Sequence, residues 1–189
     1  RYLQQAADDN IIVANLSTPA QYFHILRRQV MADYRKPLIL FTPKSMLRNP
    51  LAVSAVPDFT DGYFQEMIDD QIIKDKDAVH KLVFCSGKVY YDILQEHLKA
   101  PNPAVAIIRI EQFYPFHEQL FNDIAASYPN AEEYVWAQEE PKNQGAWSYL
   151  MPILSEILDA RIKYIGRAAS ASSASASYKL HQIEQARII

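Results

Sequence analysis

Uniformly apolar runs alternate with helix-length amphipathic stretches along this chain. Ile11-Ile12-Val13-Ala14 is the first run and Pro37 to Phe41 the second. Neither alternates with polar residues, which is the pattern of strands buried on two faces. Between them Thr18-Pro19 opens a predicted helix reaching about Asp33, with Thr18 as its cap and Pro19 in its first turn. A second set follows. Lys81 to Cys85 predicts a strand, and Lys88 to Lys99 a helix with Val89, Ile93, Leu94 and Leu98 on its apolar side. Ala104 to Ile108 and Glu133 to Ala137 predict strands, each followed by a helix, His117 to Ser127 and Trp147 to Ala160. Arg161 to Ile165 is a last short strand, and a closing helix starts at Tyr178. Strands alternating with helices of this length predict an α/β fold, a mainly parallel sheet flanked by helices on both faces.

Three stretches break the alternation. Thr42 to Asp77 contains Pro43, Pro50 and Pro57 and then turns acidic at Asp69-Asp70, which reads as an irregular linker, with a short helix beginning near Pro43. Gln138 to Trp147 is strongly polar and reads as a loop at a strand end that enters a helix, a place where α/β domains meet ligands or partners. Gly166 to Ser177 is rich in Ser and Ala and reads as a surface loop rather than a helix.

Composition narrows the function classes. Net charge is −3 and the 19 basic residues are scattered, so no nucleic-acid footprint appears. No apolar run approaches the ~18 residues of a membrane-spanning helix. The lone Cys85 excludes an internal disulfide, fits a reducing compartment, and lies in an apolar run as a packed core thiol would. The opening residues, Arg1 to Asp9, have no signal-peptide layout and read as the middle of a helix, so the chain is expected to be a piece of a longer protein.

Candidate chemistry is sparse. Ser86-Gly87-Lys88 sits where a strand passes into a helix and could hold an anion, or could be a tight turn with a cap. It is too short for a P-loop. Glu139 and Glu140 are adjacent and would point to opposite faces of a strand, so they do not form an acid/base pair by spacing alone. The histidines, His24, His80, His97, His117 and His181, lack metal-ligand spacing, and His24 reads as a packed, hydrogen-bonded side chain. Arg27-Arg28, Arg35-Lys36, Lys44 and Arg48 form the densest basic segment, suited to a phosphate-bearing effector or to a solvated helix face. No Gly-x-Ser-x-Gly elbow accompanies the serines of 170–177. No complete catalytic constellation is present.

Long segments resemble the C-terminal part of the thiamine-dependent first component of the 2-oxoglutarate dehydrogenase complex. They include Arg1-Tyr2-Leu3-Gln4, Ser17 to His24 with Leu26-Arg27-Arg28-Gln29, Arg35 to Leu38, Phe41 to Arg48, Phe84 to Asp92 and Ile108 to Gln112. Gln138 to Trp147 and Lys179 to Gln185 complete the set. The resemblance implies that residues 1–45 end a pyrimidine-binding domain, that 46–77 form a linker, and that 78–189 form a transketolase-like C-terminal domain. It implies thiamine diphosphate and Mg in the full-length protein, with their ligands and the catalytic groups upstream of Arg1. The chain alone is therefore expected to bind no cofactor or metal and to be inactive. The family further implies a homodimer partnered by the dihydrolipoyl succinyltransferase and dihydrolipoyl dehydrogenase components. Some relatives bind acetyl-CoA or a nucleotide in this domain, for which Thr42, Arg48, Ser86, Lys88 and Gln138 are the candidate contacts. The alternatives are a related 2-oxoadipate dehydrogenase fragment and a stand-alone α/β binding or dimerisation module. A bacterial cytoplasm is the expected compartment, ahead of the mitochondrial matrix.

Overall fold

The computed structural model describes residues 1–173 and 177–189. Eight strands and six α-helices follow in order: β1 (Ile12–Asn15), α1 (Pro19–Met31), β2 (Leu38–Phe41), α2 (Val56–Thr60), β3 (Met67–Ile68), β4 (Lys81–Cys85), α3 (Val89–Lys99), β5 (Val105–Ile110), β6 (Gln112–Tyr114), α4 (Glu118–Ala126), β7 (Glu133–Pro141), α5 (Trp147–Leu158), β8 (Ile162–Arg167) and α6 (Tyr178–Ala186). Two sheets form rather than one. The larger has the order β3-β5-β4-β7-β8 and is parallel except for β3; the smaller has the order β2-β1-β6.

The larger sheet is buried on both faces because its strands are apolar at successive positions. Leu82 and Phe84 of β4, Ile108 of β5 and Trp136 of β7 pack with Phe121 of α4 and with Leu150 and Leu154 of α5. Cys85, Ile107 and Ala137 belong to a second cluster with Val89, Tyr90 and Tyr91 of α3. Phe84 and Phe121 meet with ring centroids 5.0 Å apart. This tight apolar contact on both faces is the main force holding the sheet together. Burial pushes the Cys85 thiol up to about 12, as a core thiol with no nucleophilic role would have it.

Two predicted boundaries need correction. The stretch read as a linker contains α2 and β3, and β3 pairs antiparallel with β5, Met67 opposite Ile110. The stretch read as a polar loop is half strand, because β7 runs through Pro141 and carries Gln138, Glu139 and Glu140. These polar residues fall where the pairing with β8 is irregular, between Ala137 and Pro141, and the Gln138 and Glu139 side chains are bonded internally, as described below. In the Ser/Ala stretch, β8 reaches Arg167 and 168–173 are not helical, while 174–176 lie outside the described residues.

The sheets are joined at one residue. Glu111 alone separates β5 from β6, and its backbone bonds both ways: its N–H donates to Glu66 at 2.9 Å and its carbonyl accepts from Asn15 of β1 at 2.9 Å. Helix α1 starts beside this junction. Thr18 Oγ1 accepts from Gln21 N–H at 3.2 Å and Pro19 fills the first turn. Thr18→Ala should therefore cost about 1 kcal/mol, with Thr18→Ser close to the parent, as read from urea unfolding midpoints.

Candidate functional site

The carboxyl ends of the parallel strands β1 and β2 open onto a cleft of about 620 Å³. Crevices at this end of open α/β sheets are where ligands settle. Leu16, Tyr22, Phe41, Met46 and Leu47 supply apolar wall, while Ser17, Thr18, Thr42 and Lys44 are its polar members. The arrangement suits a ligand with a flat or alkyl body and an anionic group near Lys44 and the start of α1.

Ser17 forms the floor and is fixed from below. Its N–H donates to Glu111 Oε2 at 2.8 Å. Its carbonyl accepts from the Tyr91 hydroxyl at 2.6 Å, and its Oγ accepts from Arg109 Nη1 at 3.1 Å. Arg109 also donates to Gln71 Oε1 at 2.9 Å and lies over the Tyr90 ring, 4.3 Å from its centroid. Glu111 is wholly buried, and its Oε1 has no partner among the described residues. Burial pushes its carboxyl above the ordinary range, against the opposing pull of the Ser17 hydrogen bonds and the Arg109 charge. Burial likewise pushes the Tyr91 hydroxyl up to about 12, so it serves as a donor. Sequence reading missed this network. The available signal was two charges, Arg109 and Glu111, inside an otherwise apolar run.

The five candidate contacts do not converge. Thr42 is exposed and lines the cleft; Arg48 is exposed at the end of the 3-10 turn Lys44–Arg48, whose Met46 and Leu47 are wall residues. Among the described residues Arg48 makes no salt bridge. Ser86 is buried and its Oγ accepts from Asn15 Nδ2 at 2.8 Å. The adjacent Gly87 has φ +60 and brings its backbone against the Asn15 side chain, so the turn from β4 into α3 is a packed one. Lys88 is committed to two carboxylates, Asp92 at 2.9 Å and Glu139 at 2.6 Å. Burial alone would lower its pKa, but the two partners outweigh it and hold the ammonium above its ordinary value.

Gln138 is buried and bonded at both ends of its amide. Oε1 accepts from Trp136 Nε1 at 2.9 Å and from the Trp147 N–H at 3.1 Å. Nε2 donates to the carbonyls of Glu140, Pro141 and Gln144 at 3.2, 3.2 and 2.8 Å. The side chain thus closes the β7–α5 connection and has no donor left over. Glu139 and Glu140 diverge as neighbours on a strand should: Glu139 pairs with Lys88, and Glu140 is influenced by Arg167 but is raised by burial. His24 is a packed side chain, its Nε2 2.8 Å from the Asp58 carbonyl of α2. No group of His, Cys, Asp and Glu suited to a metal occurs among the described residues. No described helix is long and apolar enough to cross a membrane.

Residues 53–189 match the family model described as 2-oxoglutarate dehydrogenase C-terminal. Across its whole length the chain is also similar to proteins described as 2-oxoglutarate dehydrogenase E1 component. It is 46% identical over 196 residues to that of Geobacillus kaustophilus, 41% over 195 to that of Rickettsia felis, and 42% over 191 to that of Cupriavidus necator. It spans about a fifth of the length of these relatives, between 20% and 21%. The buried Ser17–Arg109–Glu111 junction, the strand-end cleft and the Gln138-centred turn therefore belong to a chain that is a member of the 2-oxoglutarate dehydrogenase C-terminal family.

Proposed function

We propose that this chain is the C-terminal portion of a 2-oxoglutarate dehydrogenase E1 component and that its own role is architectural and effector-binding. The observation that carries the first half is similarity to E1 components along the entire chain, at 41–46% identity in the three relatives above. In this reading the whole protein uses thiamine diphosphate and Mg to decarboxylate 2-oxoglutarate. It passes the acyl group to a lipoyl arm of the succinyltransferase component, with dihydrolipoyl dehydrogenase completing the complex in the cytoplasm. The cofactor supplies the carbanion chemistry. No residue described above is assigned to Mg or the diphosphate, and the chain alone is proposed to be inactive. Residues 1–45 end a pyrimidine-binding domain and 78–189 are the transketolase-like C-terminal domain. The 46–77 segment joins them while contributing β3 to the larger sheet.

The second half rests on the cleft. It is apolar along its walls, carries Lys44 and Thr42 at its polar edge, and stands beside the exposed Arg48. An acyl-CoA or a nucleotide combines the flat, alkyl and anionic chemistry that this lining accepts. Assembly as a homodimer is supported by α1, whose Tyr22, Phe23, Leu26 and Val30 present an exposed apolar stripe. Isothermal calorimetry of the chain with acetyl-CoA and with AMP tests the effector reading. Heat is expected with at least one of them and should fall about tenfold in affinity in Arg48→Ala, as for one lost charged contact. No heat with either compound overturns it.

A further inference from the structure

The last twelve residues are attached to the fold mainly by polar contacts. Of the large apolar side chains in α6 and the residues after it, Ile188 is buried, whereas Tyr178, Leu180, Ile183 and Ile189 are exposed. Ile188 seats against the cluster of Cys85, Tyr90, Tyr91 and Ala137, at the carboxyl end of β4 and the middle of β7. Among the described residues, three side chains of α6 make the polar contacts that tie the segment to other elements. His181 Nδ1 lies 2.5 Å from Arg167 Nη2 of β8. Glu184 Oε2 is 3.4 Å from Arg167 Nε, and Gln185 Nε2 donates to Asp92 Oδ2 of α3 at 2.8 Å.

A guanidinium only donates, so His181 Nδ1 must be without a proton to accept. The side chain of Arg167 is 10% exposed, which leaves it little access to water as a replacement partner. Once the imidazole is charged, the Arg167 contact turns from attraction to repulsion, and one carboxylate, Glu184, faces two cations. The other ionisable groups around the latch are Tyr164 of β8, which interacts with Arg167, and Glu140 of β7. Asp92 and Lys88 of α3 and Glu139 of β7 join it through Gln185. We propose that residues 178–189 form a strap over the carboxyl end of β4 and the middle of β7 that is latched by Arg167 on neutral His181 and released when that imidazole is protonated. This is a conformational property independent of whether the cleft binds an effector.

Amide hydrogen exchange of the full chain at pH 7.5 and pH 5.5, corrected for intrinsic rates, tests it. Protection of residues 178–189 should fall about tenfold at the lower pH in the parent, the equivalent of one charge-assisted hydrogen bond. Protection of β4 and β7 should not change. In His181→Asn, which retains an acceptor but cannot titrate, strap protection should be the same at both values. An unchanged parent overturns the proposal. So does an equal fall in His181→Asn, which would assign the release to Glu140 or Glu184. A nitrogen NMR titration of His181 adds a second criterion: strap opening must follow the ring's own midpoint, and a separate midpoint also overturns the latch.

Discussion

Gln138→Leu should destabilise the chain by about 3–5 kcal/mol. Leucine fills a similar volume but makes none of the amide's five hydrogen bonds. The Trp136 indole N–H would be left unpaired in the core beside Phe113, and the Trp147 N–H would lose its acceptor at the start of α5. Each buried polar group stranded in this way costs about 1–3 kcal/mol, and water reaching the carbonyls of Glu140 and Gln144 limits the total. Gly145 reinforces the argument. Its φ is +68, and a Cβ there would stand 2.8 Å from the Gln138 amide, so the turn is shaped around that side chain. Urea unfolding at unchanged m-value is the measurement. A loss under about 1 kcal/mol would mean that the amide is not what closes the turn.

The second large effect falls at the sheet junction. Arg109→Met should cost about 3–5 kcal/mol, because it leaves Glu111 buried without the charge that offsets its desolvation. Arg109→Met combined with Glu111→Gln should recover more than half of that loss, since the glutamine oxygen can still accept from Ser17 N–H while carrying no charge. The pH dependence has a definite sign. The folded-state pKa of Glu111 is raised above its ordinary value. The native state therefore holds a proton that the unfolded state has released over the window between the two values. Stability from this group is fully present below the ordinary carboxyl range and is lost as pH rises through the raised value. Glu111→Gln should consequently gain relative to the parent on going from pH 5 to pH 8. A stability difference that does not change between those values would contradict the assigned direction.

Legibility in the sequence followed element length. Four strands, β1, β2, β4 and β5, and the helix capped by Thr18 are visible because three or more successive residues carry the same message. β3 and β6 have two and three residues, too few to establish a period, and their pairing depends on partners remote in the chain. The second half of β7 was hidden for a different reason. Gln138, Glu139 and Glu140 are polar, and polarity usually marks a loop, but here an internal amide network, an ion pair with Lys88 and burial near Arg167 accommodate them. Candidate contacts chosen for strand-end position mixed two kinds of residue. Thr42 faces open space, whereas Ser86, Lys88 and Gln138 are occupied within the fold. The floor of the cleft was illegible because Ser17 meets Glu111 and Arg109 across 94 and 92 residues.

That separation has a consequence for the order of events during synthesis. Ser17 leaves the ribosome long before Glu111, which follows 94 residues later. Until Gln112–Tyr114 has emerged, one edge of β1 has no strand beside it. The small sheet can therefore close only after β3, β4 and β5 of the large sheet have been made, although β7 and β8 of that sheet are still to come. A delay or pause between these segments would expose Ile12, Val13 and Ala14, three residues that are buried in the finished fold, to whatever else is nearby.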